Sequence, residues 1–237
     1  MGGSRGIKFA RFTEPPQRKR CCSSQPKNTA NGIETNGLYL EANTVQFKKK
    51  RDPERFEQAK ADIAELIAQV QAGDIELAYV DESGFSPQPP NRSAWTRPGE
   101  THAVTAKRAQ RLNVIGAMLS SGKFLMAKLW KSVNGLYFFA FLMAMMDRFK
   151  KPLVVILDNA SIHTAKKLKP YWDLLEEKGM RFYFLPPYSP ELNRIEILWR
   201  KIKYEWLSFK SYSASELEQA IEEIGNGLGS KYTLTFF

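Results

Sequence analysis

Two short apolar runs, each followed by an aspartate, constrain the fold of this chain more than any other feature. The runs in IELAYVD and PLVVILD end at Asp81 and Asp158. Both are short, rich in β-branched residues and bounded by turn-forming residues, as is typical of buried strands. A carboxylate beside a buried strand is unfavourable unless it is paired or binds a cation. We therefore expect both aspartates to lie at strand ends, where a cation could stabilise them.

A third acidic residue, Glu196, lies in the segment LPPYSPELNRIEILW, at the start of a predicted helix. Two strand-end aspartates and one helix-borne glutamate form a set of oxygen ligands. Hard oxygen ligands of this kind favour Mg²⁺ or Mn²⁺ over softer metals. The three residues together predict a divalent-metal site.

Each of these carboxylates also has a purely structural interpretation. Asp81 could begin a turn, and Asp158 could form an Asx-turn. Glu196 could complete a capping box with Asn193, or it could pair with Arg200 four residues further along the helix. The residues alone leave these alternatives open.

The blocks YVDESGF, LDNASIH and LPPYSPELNRIEILW resemble the three signature blocks of DDE transposases, and in particular the bacterial insertion-sequence branch of the mariner superfamily. The resemblance covers roughly residues 52–237. It implies a ribonuclease H-like fold in which Asp81, Asp158 and Glu196 are the catalytic, metal-binding triad. It also implies an endonuclease and polynucleotidyl transferase that uses Mg²⁺ or Mn²⁺, as two ions, in cut-and-paste DNA transposition.

The spacing of the blocks leaves one rival for the third carboxylate. There are 76 residues between Asp81 and Asp158, and 37 between Asp158 and Glu196. The second gap is slightly longer than the mid-thirties spacing of the superfamily, whereas Glu191 would give a gap of 32. Glu196 is preferred because the family glutamate follows an Asn-x-Ile step, which here occupies residues 193–195.

The remaining pattern predicts an α/β fold with a mixed sheet flanked by helices. The first strand is predicted over IELAYVDESGF, and further strands are predicted in SAWTRPG, RLNVIGAML, FLMAKLW and MRFYFLP. Helices are predicted over 136–149, 165–178, 195–207 and 215–224, the first of them apolar on most faces and therefore buried. Strands that come first and then alternate with helices are typical of such a sheet, which agrees with the ribonuclease H-like fold that the resemblance implies.

Charge divides the chain unevenly. Residues 1–51 contain 11 Lys and Arg against 3 Asp and Glu, whereas residues 52–237 contain 24 against 22. The first segment has no apolar periodicity and is rich in Gly, Pro, Asn and Ser, so we expect a disordered basic leader. Its charge is typical of a solvated tail or of a segment that contacts nucleic acid.

An amphipathic linker helix is predicted over residues 52–73, before a catalytic domain over 74–237. Asp52 is the expected N-cap, with Pro53 at the first helical position and Gly73 at the end. The apolar face of this helix must dock either on the domain that follows or on another subunit.

Several other side chains are candidates for DNA contacts. Two polar residues in the second block could bind a phosphate, and a group of cations could contact the DNA backbone: His163, Asn159, Arg97, Lys107, Arg108 and Arg111. Three aromatic residues could stack on splayed bases, although such residues are more often part of the core: Trp95, Tyr188 and Trp199.

The expected partners are DNA, as transposon ends and target, and other transposase chains in a homo-oligomer. Relatives usually carry an upstream helix-turn-helix region, and residues 1–51 show no such pattern. The rival functions are therefore an interaction module that pairs with and inhibits full-length transposase, and a stand-alone metal nuclease. Adjacent Cys21 and Cys22 give no disulfide framework, and the longest apolar stretch, Leu136–Met146, is too short for a membrane span, so we expect a cytoplasmic protein.

Overall fold

A five-stranded mixed sheet is the centre of the structure, a computed structural model that describes residues 51–90, 109–149, 151–160 and 169–234. Its strands are β1 (Glu76–Phe85), β2 (Leu112–Leu119), β3 (Phe124–Leu129), β4 (Leu153–Leu157) and β5 (Met180–Phe184). Their order is β3-β2-β1-β4-β5. The β1–β2 and β2–β3 pairs are antiparallel, and the β1–β4 and β4–β5 pairs are parallel. The predicted α/β fold with a mixed sheet is confirmed.

Within the described residues, five α-helices flank the sheet: α1 (Pro53–Ala72), α2 (Gly135–Met146), α3 (Lys169–Glu177), α4 (Ile195–Lys201) and α5 (Ala214–Asn226). The helix predicted over 195–207 is confirmed as helical to Trp206, but it is not a single α-helix. After Lys201 the chain continues as one π-helical turn over Ile202–Trp206. The strand predicted in SAWTRPG and the first residues of the helix predicted over 165–178 lie outside the described residues.

Side chains of the central strands alternate between two buried faces. Leu77 and Tyr79 of β1 contact one core, which α1, α4 and α5 cover; we call this side of the sheet the α4 face. Ala78 and Val80 belong to the second core, which α2 and α3 cover; we call it the α2 face. Successive residues of a strand point to opposite faces, so the nearly continuous apolar runs are explained by burial on both sides.

The helix α1 packs on the domain that follows it. The Asp52 side chain accepts two backbone N–H groups at its start, and Gly73 ends it with a φ of 83°, as predicted. Leu66 is fully buried in the core of the α4 face. The Tyr183 hydroxyl on β5 donates to Asp62 of α1 at 2.8 Å, which fixes the helix against the sheet.

The helix α2 differs from the prediction in its exposure. Phe138 and Leu142 are fully buried, whereas Leu136 and Tyr137 are 55% and 38% exposed. One side of the helix contacts the α2 face and the other reaches solvent, because α2 lies in an outer layer rather than in the middle of the fold. Among the described residues, no helix is both long enough and apolar enough to cross a bilayer.

Candidate active site

The parallel pairing of β1 with β4 brings the first two carboxylates to the same level of the sheet. Tyr79 pairs with Ile156 at the end of this ladder. Continuing the register by two residues places Asp81 beside Asp158, on the α4 face. Asp158 directly follows the last residue of β4, as predicted. The carboxyl ends of parallel strands are where α/β folds commonly place their ligands.

Asp81 does not lie at a strand end, and in this respect the prediction is wrong. The strand β1 continues to Phe85, and Asp81 pairs with Gly116 on β2. The antiparallel partner β2 supplies hydrogen bonds to β1 beyond the point where β4 stops. Asp81 therefore lies inside the sheet, and only 9% of it is exposed.

Glu196 lies in the first turn of α4, and it takes no part in a capping box. The N-cap of α4 is Arg194 rather than Asn193, and no side chain caps the helix. Asn193 is buried, and in the part of the chain that the structure describes its Oδ1 atom has no hydrogen-bond partner. The rival residue Glu191 lies on a 3₁₀ turn and pairs with Arg51. The structural interpretation of Glu196 as a capping residue is therefore excluded.

Asp158 does have the structural role that was considered for it. Its Oδ1 atom accepts the backbone N–H of Ala160 at 2.9 Å, which is an Asx-turn. The amide group of Asn159 donates to the backbone carbonyl of Leu185, so it ties the end of β4 to the end of β5. These bonds shape the loop around Asp158 and leave its second carboxylate oxygen outside the turn.

The three carboxylates influence one another electrostatically. Burial and then the Glu196 carboxylate raise the pKa of Asp81 to about 8, with a smaller contribution from Asp158 and an opposing hydrogen bond from the Glu82 backbone. Burial among neighbouring residues also raises the pKa of Glu196, although part of its side chain reaches solvent. Lys203 opposes this rise and Asp158 adds to it. Asp81 and Glu196 are therefore both harder to ionise than free carboxyl groups.

Lys203 is a component of the site that the sequence analysis missed. Burial lowers its pKa, the Glu196 and Asp81 carboxylates raise it, and Arg111 lowers it. Lys203 and Arg111 both line a cleft of about 410 Å³, together with residues such as Gln88 and Tyr212. Lys203 lies seven residues after Glu196, which is two turns along the helix predicted over 195–207. This spacing could have identified Lys203 from the sequence.

Three of the other predicted DNA contacts lie within the described residues, and the remaining ones lie outside them. Arg111 is exposed beside β2, and Tyr188 is exposed in the loop before α4 with a φ of 61°, a left-handed conformation that is uncommon for such a residue. Trp199 is 2% exposed and belongs to the core, so it offers no surface to a base. The remaining candidates lie outside the described residues: His163, Arg97, Lys107, Arg108 and Trp95.

The donor set suits a hard divalent cation. Asp81, Asp158 and Glu196 offer oxygen atoms; burial raises the pKa of Asp81 and of Glu196, and repulsion from neighbouring carboxylates adds to the rise. In the described part of the chain, no three His, Cys, Asp or Glu side chains lie close enough together to hold a metal ion. A cation would be needed to draw the three like charges together.

Comparison with known proteins places this site in a family. The DDE superfamily endonuclease family matches residues 76–218, a range that contains Asp81, Asp158 and Glu196. The chain belongs to this family. The resemblance to DDE enzymes, and with it the predicted class of enzyme, is confirmed. A curated relative, "Uncharacterized protein y4pE/y4sA" of Sinorhizobium fredii (strain NBRC 101917 / NGR234), is 42% identical over 62 residues, which are 25% of this chain and 42% of that protein.

Solved structures of the DDE family share the fold. The Mos1 strand transfer complex aligns with a TM-score of 0.52 and 18% identity, over 81% of this chain and 58% of that one. The Mos1 mariner paired end complex with Mn aligns with a TM-score of 0.51 and 17% identity, over the same shares. The ribonuclease H-like prediction is thereby confirmed. The chain spans less than two thirds of the length of the Mos1 chains and of the curated relative.

Proposed function

We propose that this chain supplies the catalytic domain of a transposase, which cleaves DNA strands and joins the resulting 3′ ends to target DNA. The observation that carries the proposal is the group of Asp81, Asp158 and Glu196 at one edge of a ribonuclease H-like sheet, where the charges of the carboxylates act on one another. The family match supports the same reaction class.

Mg²⁺ or Mn²⁺, as two ions, would be held by Asp81, Asp158 and Glu196. When bound, such ions would lower the pKa of a water nucleophile and neutralise charge on the leaving 3′ oxygen. Asp81 is suited to bind a cation because it feels the charge of both other carboxylates. Mos1 has been seen in a complex with Mn, which supports the choice of metal.

The cations of the site would bring the DNA backbone to the carboxylates. Lys203 and Arg111 line one cleft, and Lys203 also feels the charge of Asp81 and Glu196. A phosphate attracted by these two cations would be held within reach of the proposed triad. We further propose that the DNA partners are transposon ends and target, and that several copies of the chain act together, by analogy with the Mos1 strand transfer and paired end complexes.

The test is Mg²⁺-dependent nicking of a supercoiled plasmid. Asp81→Ala, Asp158→Ala and Glu196→Ala should each reduce nicking to background, with an unchanged circular dichroism spectrum. The matched control is Glu191→Ala, because Glu191 pairs with Arg51 and should keep wild-type activity.

Two outcomes would contradict the proposal. If Glu191→Ala abolishes nicking and Glu196→Ala does not, the assignment of the third carboxylate is wrong. If the wild-type chain shows no metal-dependent nicking, the alternative of a non-catalytic interaction module is favoured instead.

A further inference from the structure

We infer that Trp199 is a positioning residue of the proposed active site, which holds the Asp81 carboxylate through its indole N–H. This inference rests on the proposed function. The Nε1 atom of Trp199 donates to Oδ2 of Asp81 at 3.1 Å, in a buried environment. Since Trp199 lies three residues after Glu196 on α4, the bond joins the strand that carries one proposed ligand to the helix that carries another.

A glycine on β2 makes room for this contact. Gly116 pairs with Asp81 across the antiparallel ladder. A Cβ atom at Gly116 would lie 2.5 Å and 2.8 Å from Cη2 and Cζ2 of Trp199, closer than side chains in proteins approach one another. The rings of Phe85 and Phe124 pack edge-on against the indole, each with its centroid 5.9 Å away. The indole is therefore confined on several sides in the position from which it reaches Asp81.

The chemistry of the indole group suits this task. An indole N–H is a donor without an acceptor, and it carries no charge. It can fix the orientation of a carboxylate without neutralising the negative charge that attracts a cation, whereas a lysine or arginine in the same place would compete with the metal. Hydrogen bonds that orient metal-binding side chains typically change metal affinity or activity by about 10–100-fold when they are removed.

The second well-buried tryptophan shows that burial alone does not explain the contact. Trp172 on α3 is 7% exposed and packs against Phe182 with a ring-centroid distance of 4.6 Å. Its Nε1 atom is buried on the α2 face and has no hydrogen-bond partner among the described residues. Trp172 fills the core by its apolar surface, so it is a matched control for Trp199.

The experiment compares Trp199→Phe with Trp172→Phe in the full chain. Two quantities are measured: the Mn²⁺ concentration that gives half of the maximal rise in melting temperature, and kcat and KM for plasmid nicking. Trp199→Phe keeps an aromatic ring and loses the N–H, so the Mn²⁺ midpoint should rise by about 10–100-fold and kcat should fall while KM for DNA changes little. Trp172→Phe should keep the wild-type midpoint.

The outcomes separate this inference from the proposed function. An unchanged midpoint in Trp199→Phe, or an equal shift in both variants, would overturn the positioning role and leave the metal site standing. A wild-type chain whose melting temperature does not respond to Mn²⁺ would overturn the proposed metal site, and the inference with it.

A second pair of variants tests whether the absence of a side chain at Gly116 is needed for the position of the Trp199 indole. Gly116→Ala should displace Trp199 and raise the Mn²⁺ midpoint as Trp199→Phe does. Gly225→Ala is the control, because its Cβ would lie 2.7 Å from Cε of Met126, the far end of a flexible side chain. A folded Gly116→Ala variant with a wild-type midpoint would contradict the inference. If Gly116→Ala does not fold, the positioning role is tested by the comparison of Trp199→Phe with Trp172→Phe alone.

Discussion

The two faces of the sheet are built from the same strands and have opposite characters. On the α2 face, Val80 and Val155 are fully buried among apolar side chains. On the α4 face, Asp81 is buried one residue further along β1, and Ser83 two residues after it. Because side chains alternate along a strand, a single step in sequence separates a dry core from the proposed active site. The comparison shows that the α2 face is apolar around Val80, whereas the α4 face holds buried polar groups at the proposed active site.

The largest expected effect comes from moving a carboxylate to the wrong face. Val80→Asp would place a charge among apolar side chains with no cation to bind it, which should lower the free energy of unfolding by at least about 4 kcal/mol. The variant should lose its cooperative thermal transition by circular dichroism. A melting temperature close to that of the wild type would show that the α2 face is not a dry core.

Asp81→Asn should raise the free energy of unfolding, rather than lower it, when Mg²⁺ and Mn²⁺ are removed with a chelator. The wild-type carboxylate is buried and repelled by Glu196, so its neutral replacement should raise the free energy of unfolding by roughly 1–3 kcal/mol at pH 7. The control is Asp173→Asn, since Asp173 pairs with Lys169 on the surface and should matter little. A lower melting temperature for Asp81→Asn would contradict the repulsion.

The difference in stability between Asp81→Asn and the wild type should increase with pH. The pKa of Asp81 is raised to about 8 in the folded chain from an ordinary value of 3.8, so folding favours the protonated carboxyl. The stability that this group contributes is complete below about pH 4 and is lost as the pH rises towards 8. The advantage of Asp81→Asn in chelator should therefore grow over this range, and thermal melts at several pH values measure it.

A smaller effect is expected at the cleft that is proposed to bind the DNA backbone. Replacing Arg111 or Lys203 by Gln should reduce the slope of log affinity against log salt by about 1 for each phosphate contact that is lost. Lys201→Gln is the control, because Lys201 pairs with Glu205 at 2.7 Å and lies outside the cleft. Binding titrations of a DNA duplex at several salt concentrations give the slopes. Equal slopes for Lys203→Gln and Lys201→Gln would count against a phosphate site in the cleft.

Much of the fold could be predicted because the signals are local. The strands around Val80 and Val155 are continuous apolar runs, and α1 is bounded by an N-cap at Asp52 and a glycine in the left-handed region at Gly73. The identity of the proposed triad was predictable for another reason, which is the resemblance of three short blocks to a known family. Its assignment to individual residues stays a prediction, as does the division of the chain at residues 51 and 73.

The features that could not be predicted depend on contacts between residues far apart in sequence. The apolar run alone placed Asp81 at a strand end, whereas the strand predicted over IELAYVDESGF runs on to Phe85. The pairing of β1 with β2 beyond Tyr79 confirms the longer strand. The bond from Trp199 to Asp81 links residues 118 positions apart, and it requires the small side chain of Gly116 on a third element. The exposure of Leu136 likewise depends on which layer of the fold receives its helix.

The docking of α1 on the sheet determines how short a fragment of this chain can be and still fold. The family match begins at residue 76, but Leu66 of α1 is fully buried in the same core as Trp199. A fragment cut at the start of the match would expose the apolar surface that α1 covers, and it would leave the Tyr183 hydroxyl without Asp62. The smallest transplantable unit of this fold therefore begins at Asp52, 24 residues before the first residue of the family match.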